Sequence, residues 1–497
     1  MPPATRRRLA KEPRDQLARD DASGVMISLQ YNEEAPDSQV APYPSLLGIA
    51  RFGENRLPPA GPAPRPGIPE TSQCFPALQY YIDFMPMAFR IIPTILLIAL
   101  QAYLLHRFWR WSKDRLGFIA RIRIPVLILF LVFNAALLVV AIVRLRGVAF
   151  PDWFVYSAIY PFYWWHAASS VVAITLLVMA LLKLPFKGLW AGLKRIPATR
   201  EGAATLAAHP SVQRFDQSRR VFLRRSVYGL TAASFGGLAY GMVVGNHDCE
   251  INESTLRVPG LPPEFSGYTI GLVTDVHSSM YMMKKEMLEY VRMLNGMDVD
   301  LIVVGGDIVN GMPDEVLPFA EAFSGLRSKD GAFGVLGNHD FYSREPDQVA
   351  EIATQAGVRI LRDEGVTIRR GGSSLRLLGI DDVGNANAAL RRLDTALSKV
   401  PELGPTVLMC HRPYFLEEIS SRGIDVVLSG HTHGGQIVFG KFADTTFTPA
   451  AMASPYVWGK YRAGNTQMYV SRGIGTVGIP VRLNCPPELT RIVLQPA

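Results

Sequence analysis

Cysteine is scarce in this chain: four in 497 residues, at positions 74, 249, 410 and 485, with no two in a CxxC pair. That spacing excludes a zinc–thiolate site of the usual kind. In an oxidising compartment Cys249 and Cys485 would be able to pair; otherwise the four are inert thiols. Tryptophan is nearly missing from the second half, six of the seven lying before residue 250, which suits a residue that favours membrane interfaces. Acidic charge is short in the first half. Residues 250–497 hold 23 Lys/Arg and 28 Asp/Glu, a net of −5; the whole chain is +8, so residues 1–249 carry +13. Basicity confined to the half with long apolar runs points to a membrane before nucleic acid. The net −5 of the second half disfavours a duplex partner, which needs many phosphate contacts. No internal repeat is present.

Residues 1–84 hold no persistent helical or strand period and are rich in Pro, Arg and Ala, as in PPAGPAPRPGIPE at 58–70. They read as a disordered tail. No apolar h-region follows the early arginines, so the start does not read as a signal peptide. Met85 and Met87 are alternative starts just ahead of the first apolar segment. Four such segments follow within residues 85–249, at about 88–106, 124–143, 154–182 and 226–244. Each matches the ~20 residues needed to cross a hydrocarbon core of ~30 Å. The fourth, rich in Gly, Ala and Ser, is the weakest, and its small residues suit helix–helix packing. His166 lies in the third and reads as a packed residue.

Loop charges set an orientation. Arg107, Arg110, Lys113, Arg115, Arg121 and Arg123 lie between the first two segments, and ten cations from Lys183 to Arg225 between the last two. The short loop with Arg144 and Arg146 is poorer. The positive-inside rule places the two rich loops in the cytoplasm, hence the second half of the chain outside it. Ser218-Arg219-Arg220-Val221-Phe222-Leu223-Arg224 resembles a twin-arginine export signal, which would carry a folded domain across. No small-x-small cleavage site follows, so an uncleaved anchor is expected.

After residue 250 short apolar runs alternate with amphipathic stretches. Strands are expected at Tyr268–Thr274, Leu301–Gly305, Phe333–Leu336, Thr406–Cys410 and Val426–Ser429, helices at Lys284–Leu294 and Pro346–Ala356. That alternation argues α/β, and VTIRR and SLRLLGI within 358–381 add antiparallel pairing. Every expected core strand runs into metal-ligand types of residue. These are Asp275 and His277, Asp307, Asn338-His339-Asp340, His411, and His431 with His433. In α/β sheets the loops at the carboxyl ends of strands build the site, so the five blocks should converge. Strand alternation is expected to put both members of Asp275/His277 on one side. A set of imidazoles, carboxylates and one amide, without thiolate, suits Mn, Fe, Zn or Co better than Mg. It also exceeds what one tetrahedral ion needs.

The ordered run D-x-H, G-D, G-N-H-D, a lone His and G-H-x-H resembles the calcineurin-like metallophosphoesterase family. Its five blocks stand here as Asp275/His277, Gly306-Asp307, Gly337 to Asp340, His411 and Gly430 to His433. The ending, Ser471 to Gly475 and Arg482 to Glu488, is similar to that family's membrane-anchored, twin-arginine-exported phosphodiesterase branch. The resemblance implies a four-layer α/β/β/α sandwich over 250–497, preceded by an all-α transmembrane region of about four helices. It implies one ion held by Asp275, His277, Asp307 and His433, and another by Asp307, Asn338, His411 and His431. A water acidified between them would attack a phosphate ester. His339 would stabilise the transition state or protonate the leaving alkoxide, with Asp340 orienting it or another ligand. Arg412 and Arg482 are candidate phosphate contacts. Anchoring makes a phospholipid or lipid-linked pyrophosphate a candidate substrate, with Met280, Met282, Met283 and Phe341 as candidate groove residues. The alternative is a metal-binding regulatory or sensor domain without turnover.

Overall fold

The structure is a computed structural model that describes residues 76–113, 117–142, 150–442 and 445–497. The tail up to residue 75, Cys74, Arg115, Arg144 and Arg146 lie outside the described residues. Residues 88–497 fall in one compact unit.

The first half is helical. It runs α1 (Pro76–Ser112), α2 (Phe118–Ile142), α3 (Asp152–Phe154), a π-turn (Val155–Ile159), α4 (Tyr160–Leu182), α5 (Leu184–Arg195), α6 (Pro197–Ala208) and α7 (Pro210–Tyr240), which ends in a second π-turn (Gly241–Gly245). Among the described residues, four stretches are long and apolar enough to cross a membrane: Ile92–Ser112, Phe118–Ala135, Asp152–Arg195 and Pro210–Gly245. Their outward residues, such as Ile95, Leu96, Ile128 and Val132, are exposed large apolar side chains, as a lipid-facing surface requires.

Two details depart from the sequence reading. Helix α1 begins at Pro76, inside the stretch read as tail. Between the third and fourth spans the chain forms α5 and α6 rather than a loop. Pro185, Pro197 and Pro210 each stand at the first turn of a new helix, where a missing N–H costs nothing. His166 is buried against Phe162, its Nδ1 2.9 Å from that residue's carbonyl oxygen, so it is a packed residue as expected.

The second half begins at Glu250. Its strands and helices are β1 (Glu250–Val258), β2 (Thr269–Val273), α8 (Lys284–Gly296), β3 (Leu301–Val304), α9 (Val316–Phe323), β4 (Ala332–Gly334), α10 (Asn338–Tyr342), α11 (Pro346–Gln355) and β5 (Val358–Ile360). There follow β6 (Glu364–Arg370), β7 (Ser373–Gly379), α12 (Ala386–Ser398), β8 (Thr406–Met409), α13 (Leu416–Ser420), β9 (Val426–Ser429), β10 (Gly440–Phe442), β11 (Thr445–Phe447), β12 (Gly459–Ala463), β13 (Thr466–Val470) and β14 (Glu488–Pro496). They build two mixed six-stranded sheets, ordered β1-β14-β2-β3-β4-β5 and β12-β13-β9-β8-β7-β6, and a small β10-β11 pair.

Burial explains the layers. Leu256, Ile270, Leu272, Leu301 and Val303 of the first sheet meet Leu375, Leu377, Val407, Met409, Val426 and Leu428 of the second. The alternate residues of those strands point outward. Ile302 and Val304 pack on Met287, Val291, Phe319 and Val349 of α8, α9 and α11. Leu378, Leu408 and Val427 pack on Leu393 and Ile419 of α12 and α13. The order helix, sheet, sheet, helix is the expected four-layer α/β/β/α sandwich. Strands β3, β8 and β9 are covered on both faces, hence their unbroken apolar runs.

The membrane helices dock on this domain at the end where α4 begins and α7 finishes. Ala168, Leu238 and Met242 bury Val481, with Ile437, Ile479 and Leu483 beside them. The Arg482 amide donates to the Gly241 carbonyl at 3.2 Å. Tyr163 meets the edge of Tyr281, Tyr156 donates to Glu286 at 3.0 Å, and Lys285 pairs with Asp152 at 3.3 Å.

Candidate metal centre

The site forms where five strands stop. The chain leaves β2 at Val273, β3 at Val304, β4 at Gly334, β8 at Met409 and β9 at Ser429. Within a few residues each presents a carboxylate, amide or imidazole. Strand alternation does not aim them, contrary to the sequence reading. Asp275 (φ 53°), His277 (φ 48°), Asp307 (φ 53°), His431 (φ 71°) and His433 (φ 52°) all lie in left-handed backbone. For non-glycine residues this costs roughly 1–3 kcal/mol each, a strain that persists only where the surroundings enforce it. Glycine lets the loops close. A Cβ at Gly306 (φ 93°) would lie 2.7 Å from His411 Nδ1, and one at Gly337 would collide with the Asp307 carboxylate.

Two clusters result. Asp275, His277, Asp307 and His433 bring their ligand atoms within 4.8 Å of one another, and so do Asp307, His411 and His431. Asp307 belongs to both. Its Oδ2 lies 3.4 Å from His277 Nε2 and 3.2 Å from His411 Nε2, while Oδ1 accepts the His339 amide at 2.8 Å. The Asp275 carboxylate accepts the His431 amide at 2.9 and 3.1 Å and lies 3.5 Å from His433 Nε2. All but His431 and His339 of the nine candidate residues are buried.

The donor chemistry fits divalent cations. The Nε2 atoms of His277 and His433 face each other at 3.1 Å, an arrangement a shared cation would satisfy. The His433 Nδ1 reaches the Gly475 carbonyl at 3.3 Å, and the His411 Nδ1 the Gly305 carbonyl at 2.8 Å. These contacts make Nδ1 a donor in both rings and turn Nε2 toward the cluster, where it would serve a cation once free of a proton. The buried Asn338 Oδ1 has no hydrogen-bond partner, which a cation would also supply.

Electrostatics point the same way. Burial first, then the neighbouring His339, depresses His277 to about 3 against the pull of Asp307. Burial likewise depresses His431 to about 2 and His433 to about 3. These three imidazoles are neutral, as ligands must be. Burial would raise the Asp307 carboxyl, but His411, then His277, holds it well below the usual range. Burial would lower His411, yet the Asp307 carboxylate prevails and lifts it to about 10. A proton on His411 thus balances Asp307, and a divalent cation between them would replace it.

Several candidates need correction. Asp340 does not reach the His339 ring. Its Oδ1 accepts the Val309 amide at 3.0 Å and its Oδ2 the Gly337 amide at 2.8 Å. It therefore ties together the loops carrying Asp307 and Asn338, and burial, then Asp307, pushes its carboxyl up to about 7. Arg482 is no phosphate contact. It is fully buried and donates to the carbonyls of Arg472, Gly473, Gly475 and Cys485. Cys249 and Cys485 are free thiols, in keeping with the inert-thiol reading. Met282 belongs to the core outside the first sheet, and Phe341 packs on it; Met280 and Met283 are half-buried.

Arg412 keeps its candidacy. Its Nε donates to Asp382 at 2.8 and 3.0 Å, and its outer nitrogens meet no acceptor among the described residues. Asp382 and Tyr414, whose ring meets His431 at 5.3 Å, were not foreseen. Neither belongs to a block that the sequence marks.

The profile described as Calcineurin-like phosphoesterase matches residues 268–435, which carry all five blocks. An uncharacterized metallophosphoesterase of Bacillus subtilis, YkuE, is 30% identical over 285 residues, 56% of this chain and 98% of its own length. An uncharacterized metallophosphoesterase of Helicobacter pylori is 32% identical over 298 residues, 58% of this chain and 75% of its own. A "transmembrane protein with metallophosphoesterase domain" of Danio rerio is 28% identical over 271 residues, 52% of this chain and 60% of its own. With the Asp/His clusters sharing Asp307 and a near-complete alignment to YkuE, the chain belongs to the calcineurin-like phosphoesterase family.

Proposed function

We propose that this chain is a membrane-anchored hydrolase of phosphate esters that works with two divalent cations. The observation that carries the reading is the single Asp307 carboxylate common to two ligand clusters. In this reading Asp275, His277, Asp307 and His433 hold one cation, and Asp307, Asn338, His411 and His431 the other. The neutral imidazoles favour Mn, Fe, Zn or Co over Mg. Cations bound there supply Lewis acidity to a water and to the phosphoryl oxygens.

The chain's own residues do the rest. The His339 Nδ1 lies 2.8 Å from the Asn310 carbonyl, which fixes the ring and leaves Nε2 as its working nitrogen. His339 then donates from Nε2 to the departing alkoxide. Its backbone amide pins Asp307 at the same time. Asp382 steadies Arg412 through Nε, so the outer guanidinium nitrogens serve a phosphate oxygen.

A substrate at a membrane surface is supported by the strap that follows β13. Gly475 buttresses His433, and within ten residues Val481 and Arg482 meet the end of α7. Beside that strap, bridged to it through Ile437 and Leu483, the chain exposes Phe439, Phe442 and Phe447. An amphiphile with a phosphate ester or pyrophosphate headgroup fits such surroundings. The basic loops at the opposite end of the helices support an extracytoplasmic catalytic domain. The arginines of the export-like motif lie in α7, where Arg219 and Arg220 pair with Asp216.

The test uses the full chain in neutral detergent, stripped with chelator and reloaded with Mn, Fe, Zn or Co. An aryl phosphodiester should be hydrolysed only after reloading. Two bound ions without turnover of mono-, di- or pyrophosphate substrates would leave a regulatory metal domain instead. Protease protection in intact cells checks the side of the membrane.

A further inference from the structure

At the other end of the bundle, α1, the α4–α5 junction and α7 line an open-sided cavity of about 570 Å³. Four cations line it, Arg107, Lys183, Lys187 and Arg224, and no Asp or Glu does. None of the four has an acidic partner among the described residues. The remaining wall is mostly apolar, with Leu176 and Tyr228 representative. Arg107, Lys187 and Arg224 are exposed and Lys183 is half-buried, and four like charges around one apolar hollow repel one another. An anion settles that repulsion.

Depth identifies the anion's source. Residues 225–245 of α7 and its π-turn cover roughly 30 Å at 1.5 Å per residue, one hydrocarbon thickness. Arg224 therefore lies about 25 Å from the docking contact at Gly241, and about one hydrocarbon thickness from the end of the π-turn at Gly245. Lys183, directly after α4, lies at the same level, since α4 starts beside the catalytic domain and runs away from it. The cations sit at a headgroup boundary, and the apolar wall extends from them toward the hydrocarbon. A free phosphate has no use for that wall.

We propose that this cavity binds an anionic phospholipid of the leaflet opposite the catalytic domain. The headgroup phosphate accepts from the two guanidinium and two ammonium groups, and the upper acyl chain lies along Leu176. Basic pockets between membrane helices recognise anionic headgroups by this combination. The proposal is independent of turnover at the metal centre and stands or falls by binding alone.

The test uses the full chain, delipidated in neutral detergent and titrated with dioleoyl phosphatidylglycerol, dioleoyl phosphatidylcholine or inorganic phosphate. Thermal unfolding and native mass spectrometry are the readouts. Phosphatidylglycerol should raise Tm saturably and remain bound; the other two should not. The triple variant Lys183→Gln, Lys187→Gln, Arg224→Gln should bind it about 10²-fold more weakly. Lys194→Gln with Arg195→Gln removes charge outside the cavity and should bind like the parent. Ala180→Trp fills the cavity without changing charge and should also lose the lipid. Equal responses to phosphatidylcholine, a full response to phosphate alone, or undiminished binding by Ala180→Trp would each overturn the proposal. If neither cavity variant folds, the comparison among the three ligands on the parent chain decides.

Discussion

The two halves of this chain handle buried polar groups in opposite ways. In the membrane half the buried polar residues are few and uncharged, among them Gln101, His166, Ser169 and Ser234. Gln101 donates to Ser169 at 2.7 Å, and the Trp164 indole to the Phe235 carbonyl at 2.8 Å. In the catalytic half they are ionisable, crowded and held in strained backbone, with Asp275, His277, Asp307, His431 and His433 all left-handed. Length and apolarity suffice to build the helices, and many sequences would serve. The site needs particular residues at particular positions, and it spends stability to hold them.

That contrast can be broken by mutation. The largest effect belongs to the shared carboxylate. Asp307→Ala should abolish metal-dependent hydrolysis while the chain stays in the membrane fraction; retained turnover would remove the shared-carboxylate mechanism. His339→Ala should lower kcat by roughly 10²–10⁴-fold with metal content unchanged by elemental analysis; metal loss would make His339 a ligand. Arg412→Ala should lower kcat/KM by about 10–100-fold, the worth of a charge-assisted hydrogen bond. An unchanged value would return Arg412 to a purely structural pairing with Asp382.

The pH dependence has a definite sign. His411 is raised to about 10 by Asp307, so without a cation it keeps its proton throughout the range below that. Metal and proton then compete, and binding at pH 7 should release about one proton. Apparent affinity should rise by about tenfold per pH unit from 7 to 9, and calorimetry in buffers of different ionisation enthalpy measures both. Pure structural burial of His411 would give neither. The smallest effect belongs to the membrane half. Gln101→Leu should cost about 0.6 kcal/mol, read from the unfolding midpoint in detergent, with turnover untouched.

Legibility in the sequence followed the same division. Strands β3, β8 and β9 were readable because burial on both faces leaves unbroken apolar runs, and β9 was placed at Val426–Ser429 without error. The ligand blocks were readable because each sits directly after such a run. The turn that aims them was not, since Asp and His carry no mark of a left-handed φ. The β1–β14 pairing, from Glu250↔Glu488 to Val258↔Pro496, joins segments too distant for any local pattern to connect. Arg482 misled because an arginine caged by backbone carbonyls and one facing a phosphate look alike in sequence. Helices α5 and α6 were hidden because prolines read as loop punctuation, although each one here opens a helix.

The most direct test of the account is anomalous diffraction from crystals of the manganese-loaded full chain. Two peaks should flank Asp307, one against Asp275, His277 and His433 and the other against Asn338, His411 and His431. One peak alone, or a pair that Asp307 does not join, would contradict it.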